Sequence, residues 1–60
     1  MRKLDYDHDI DKIVVRNKDD NIIGWIKEVR WSNTYIAERK GVGRVYSFRH
    51  LEDAVEWIEK

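Results

Sequence analysis

The chain has 60 residues, enough for one domain, and contains neither cysteine nor proline. Disulfides and thiolate zinc sites are excluded, and a chain this short buries only about 60% of the surface its unfolded form exposes. Twelve basic residues balance twelve acidic ones. Net charge therefore exerts no whole-molecule pull toward nucleic acid and gives little protection against self-association.

The neutrality hides a segregation. Residues 1–11 carry a net −2, residues 12–49 a net +5 and residues 50–60 a net −3. A basic middle is thus flanked by acidic ends. Acidic residues at the start of a helix suit its dipole, which accounts for part of the pattern. No apolar run is long enough to span a membrane, and the first residues lack the apolar core of a secretory signal, so a cytoplasmic protein is expected.

Residues 1–9 show no clear period and read either as a flexible acidic arm or as a first strand with aspartates on its wet face. Asp7, Asp9 and Asp11 open like a calcium loop, but Lys12 stands where the sharp turn needs glycine and Lys18 where a bidentate glutamate belongs. No metal is expected. Ile10 to Arg16 is the first good strand, Asn17 to Asn21 a turn of left-handed-tolerant residues, and Ile22 to Trp31 a second strand. That strand is apolar on both faces, with Ile22 and Ile26 on one and Ile23, Trp25, Val29 and Trp31 on the other. Gly24 marks a bulge that switches its register.

Ser32-Asn33 is a tight turn, Thr34 to Lys40 a third strand, Gly41-Val42-Gly43 another turn, and Arg44 to Phe48 a fourth strand. The last stretch is helical over residues 50–59. Leu51, Ala54, Val55 and Ile58 form one apolar stripe, His50 is the N-cap, and Asp53 is placed to bond back toward it. The sum is a single α+β domain over residues 1–60: an antiparallel meander of three or four strands with one C-terminal helix on one face. The expected core is Ile13, Val15, Ile23, Ala37, Tyr46, Phe48, Leu51, Ala54, Val55 and Ile58, with Ala37 where the helix crosses a strand.

The run Phe48-x-His50-x-x-Asp53-Ala54-x-x-Trp57-Ile58 resembles the ending of small phage-type domains, among them the arm-type DNA-binding domains of phage integrases. The resemblance covers roughly residues 22–60. It implies a three-stranded sheet before the helix, with the sheet face away from the helix set against DNA. Such domains are usually basic, and this chain is not. Their catalytic domain is not in this sequence, so the resemblance implies a stand-alone phage or prophage accessory protein.

Catalysis finds no support. Ser32 and Ser47 lack a nucleophile context, Gly41-Val42-Gly43-Arg44 is too short for a phosphate loop, and neither His8 nor His50 has an orienting partner in sequence. A non-enzymatic module without cofactor is expected. Lys27, Arg30, Arg39, Lys40, Arg44 and Arg49 alternate with aromatic residues, a mixture that suits nucleic acid because cations neutralise phosphates and rings stack on bases. The alternative is a protein-binding adaptor or inhibitor that uses Trp25, Trp31 and the acidic helix residues Glu52, Glu56 and Glu59. Clustered cations on one open face would favour nucleic acid, and dispersed cations beside bare aromatic surface would favour protein. The second strand's surplus apolar surface also fits a homodimer.

Overall fold

A computed structural model describes residues 3–60. Five antiparallel strands form one sheet in chain order: β1 (Lys3–Asp7), β2 (Lys12–Arg16), β3 (Ile22–Val29), β4 (Thr34–Arg39) and β5 (Val45–Phe48). A 3-10 turn over Arg30–Ser32 links β3 to β4, and helix α1 (Leu51–Glu59) follows β5. The α+β meander with a C-terminal helix is as the sequence predicts. The strand count is one higher, because Lys3–Asp7 takes the strand alternative and pairs with β2, Leu4 opposite Val15 and Tyr6 opposite Ile13.

Each of the four hairpin connections contains one residue in the left-handed region: Asp11, Asp20, Asn33 and Gly41. Aspartate, asparagine and glycine are the residues that visit this region at least cost, so their placement fixes where the chain reverses. Side chains help to complete three of the turns, that between β3 and β4 through Ser32 and Thr34. Asp7 Oδ1 accepts the Asp9 N–H at 3.0 Å, and Asn17 Oδ1 accepts the N–H groups of Asp19 and Asn21 at 2.9 and 3.1 Å. The aspartate series therefore shapes a hairpin. Among the described residues, no group of three His, Asp or Glu side chains is placed to hold a metal ion.

The register shifts between Val15 and Arg16, which face Gly24 and Ile22 respectively, so Ile23 is the bulged residue. Gly24 indeed lies beside a bulge, as its position in the strand predicts. The bulge lets Ile23 pack against the edge of the core although Ile26 belongs to the opposite strand face. The expected core changes accordingly. Val15, Ile26, Ala37, Ala54, Val55 and Ile58 form the buried cluster, with Ile13, Ile23, Tyr35, Phe48, Leu51 and Trp57 packed around it. Ile26, absent from the expected core, is fully buried at its centre because it sits in the register row Ile13–Ile26–Ala37 under the helix. Tyr46, expected inside, is 45% exposed because β5 is an edge strand.

The helix begins after His50, which has extended backbone and makes no side-chain capping bond; the expected return bond from Asp53 does not form. Instead the His50 carbonyl accepts the Ala54 N–H at 3.3 Å. The helix crosses β3, β4 and β5, so the helix side of β1 and the outer part of β2 stay open and leave Leu4 and Tyr6 exposed. No helix among the described residues is long and apolar enough to cross a membrane.

Helix and sheet approach closely at Gly24. A Cβ there would lie 2.5 Å from the Glu38 carbonyl oxygen and 2.7 Å from Ile58 Cγ2. Gly24→Ala should therefore destabilise the fold by about 1–3 kcal/mol in denaturant titrations. Gly43→Ala, where an added Cβ meets nothing within 4 Å, should shift stability by less than about 0.5 kcal/mol. Ile58→Ala should cost about 2–5 kcal/mol through the cavity it leaves. Equal melting of Ile58→Ala and wild type would show that the helix contributes nothing by docking.

Candidate functional site

The sheet has two unlike faces. Beneath the helix lie Val15, Gly24, Ile26, Ala37 and Phe48. The other face carries the rows Asp5–Val14–Trp25–Glu38–Val45 and Asp7–Lys12, with Lys27, Ile36 and Ser47 continuing the second row across β3 to β5. This open face does not present a uniform positive field. Lys12 Nζ lies 3.7 Å from Glu38 Oε1, and Arg16 Nε lies 3.5 Å from Asp5 Oδ2. Lys27 is exposed there beside these mixed charges.

The six cations expected to act together are dispersed. Arg39 points to the helix side, where its Nε and Nη2 donate to the Trp57 carbonyl at 2.9 and 2.6 Å. Its guanidinium also stacks on the Trp57 ring, 4.4 Å from the centroid. The Trp57 carbonyl is in the last turn of α1, so Arg39 satisfies a group that the helix cannot pair itself and places positive charge at the negative end of the dipole. Trp57 in turn meets Tyr46 edge-on at 5.0 Å and Phe48 at 6.1 Å. Arg39 thus has a structural task. Sequence reasoning missed it because Arg39 and Trp57 are eighteen residues apart and no local pattern joins them.

Lys40 and Arg44 are exposed around the β4–β5 turn, while Arg30 and Arg49 are exposed at the opposite end of the sheet. In an antiparallel meander the β1–β2 and β3–β4 turns share one end, together with the β5–α1 junction. This end gathers Asp7, Asp9, Asp11, Glu28, Glu52 and Asp53 against Lys12, Arg30 and Arg49. Lys18, Lys40 and Arg44 lie at the far end, with Asp19 and Asp20 in the same turn as Lys18. The end that carries Trp31 is therefore the more acidic of the two.

The two tryptophans proposed as contacts occupy different places. Trp25 is half-buried in the middle of the open face, with Val14 and Glu38 as cross-strand neighbours. Trp31 lies in the 3-10 turn and is 90% exposed, beyond the reach of the core. Ile10, in the neighbouring β1–β2 turn, is 46% exposed and Tyr6 of β1 is 49% exposed. Between these two turns is a cleft of about 360 Å³ lined by Tyr6, Asp11, Ile13, Ile26, Glu28 and Arg30. Of these, the sequence singled out Arg30 alone as a contact.

Replacing Arg39 by Ala should destabilise the domain by about 1–3 kcal/mol, the range for losing a charged donor to a partly buried carbonyl. Equal stability of Arg39→Ala and wild type would sink this structural assignment. No protein-family model, curated protein or solved structure matches this chain.

Proposed function

We propose that this protein is a small non-enzymatic binding module whose partner is another protein, engaged at the end of the sheet that carries Trp31. The observation that carries this reading is the 90% exposure of Trp31 in the 3-10 turn, at the same end of the sheet as the exposed Ile10. A tryptophan displayed in water gains from burial against a partner both by area and through its indole N–H, and tryptophan is enriched among binding hot spots. The dispersal of Lys27, Arg30, Arg39, Lys40, Arg44 and Arg49 supports a protein partner over nucleic acid, since phosphate tracking needs cations along one surface. The exposed helix residues Glu52 and Asp53 lie at the same end as Trp31 and extend the surface available to a partner.

Two measurements test this reading. In a shift assay with duplex and single-stranded DNA and RNA, no complex should form at ~50 mM salt; a complex there that is lost by ~200 mM would establish the nucleic-acid reading instead. Affinity capture at ~200 mM salt should retain a protein that Trp31→Ala loses by at least about tenfold, the effect of a hot spot of ~1.4 kcal/mol or more. Equal capture by wild type and Trp31→Ala would remove Trp31 from the site.

A further inference from the structure

From the cleft between the β1–β2 and β3–β4 turns, we infer that the protein partner presents a basic side chain, a lysine or an arginine, which enters the cleft alongside Trp31. The inference rests on the protein-binding reading and adds the chemistry of the partner. The cleft has three parts. Its apolar floor is the half-buried Ile13, whose cross-strand neighbour Ile26 is fully buried. One wall is the half-exposed ring of Tyr6. The rim holds the carboxylates of Asp11 and Glu28, with Arg30 beside them.

The fold brings both carboxylates to one cleft. Asp11 belongs to the β1–β2 turn and Glu28 lies near the end of β3, and both border it. Like charges bordering one cleft repel each other unless a cation lies beside them. Arg30 answers only one of the two: its Nε is 3.8 Å from Glu28 Oε1, and its side chain is 89% exposed. Among the described residues, Asp11 has no ion-pair partner. Negative charge is thus left over at a cleft that also presents the half-buried side chain of Ile13.

A long basic side chain matches all three parts. Its methylene stem would cover Ile13, as such stems do on apolar surfaces. Its cationic head would stand by Asp11 and Glu28, beside the Tyr6 ring. An acidic side chain would meet the rim carboxylates, and a purely apolar one would strip them of water without replacing it. Charge complementarity therefore selects a cation on a flexible apolar stem.

The test is a titration of the isotopically labelled full chain, followed by amide chemical shifts. The probes are N-acetyl-lysine amide and N-acetyl-norleucine amide, which share the stem and differ in the ammonium group. The lysine probe should shift the amides of Tyr6, Asp11, Ile13 and Glu28, while the norleucine probe binds more weakly there. Asp11→Asn should weaken the lysine probe by up to about fivefold, the range of a partly solvated ion pair. Glu56→Gln, on the helix, should leave its binding unchanged. Equal binding of the two probes, shifts spread over the helix carboxylates, or no effect of Asp11→Asn would overturn the inference. Trp31 is not part of the cleft lining, so Trp31→Ala should bind the probe normally. Failure of the probe with Trp31-dependent protein capture intact removes the cleft alone, whereas loss of that capture removes the underlying reading.

Discussion

Ile58 comes down on the sheet at Gly24, where any side chain would strike both the Glu38 carbonyl and the Ile58 methyl groups. This contact sets the height of the helix above β3, and the height sets the rest of the packing. Ala37 and Ala54 are fully buried, and small residues at such positions let two backbones approach closely. The bulge beside Gly24 belongs to the same local design. It turns Ile23 toward the edge of the core while Ile26 keeps its place at the centre. In a domain with so few buried side chains, each of these positions carries a large share of the total stability.

The helix end is held by a second device. Arg39 donates twice to the Trp57 carbonyl while its guanidinium covers the indole, and Trp57 leans on Tyr46 and Phe48. One arginine thereby links β4, the last turn of α1 and the aromatic side chains of β5. Arginine suits this role better than lysine, because its planar fork donates to one oxygen from two nitrogens while its flat face stacks on a ring. The two edges of the sheet differ as well. The β1 edge carries Asp5 and Asp7, charges of the kind that discourage strand addition, whereas Val45–Phe48 at the other edge has none.

Surface chemistry follows from topology. In a five-stranded meander alternate turns fall at the same end, so Asp9 and Asp11 are gathered with Glu28 and with the acidic first turn of α1. The same rule sends Lys40 and Arg44 to the far end. Because α1 lies over β3, β4 and β5, the helix side of β1 is left uncovered and Tyr6 becomes one wall of a cleft. Trp31 stays in water because the chain leaves β3 at Val29 and turns through a 3-10 segment before β4 begins.

The α+β class, the meander and the helix over Leu51–Glu59 were legible in the sequence because each rests on local chemistry. Asparagine, aspartate and glycine mark the reversals, alternating apolar residues mark the strands, and Leu51, Ala54, Val55 and Ile58 mark a helical stripe. Val15, Ala37, Ala54, Val55 and Ile58 were legible as core for the same reason. Lys3–Asp7 could be read as arm or strand, since its aspartates suit both, and only pairing with β2 decided between them. The tertiary structure alone decided the choice of Ile26 for the centre, the exposure of Tyr46, the task of Arg39 and the placing of Asp11 and Glu28 at one cleft. Each depends on which residues far apart in the chain share a register row or lie under the helix, and strand pairing and helix placement supply that information where local periodicity does not.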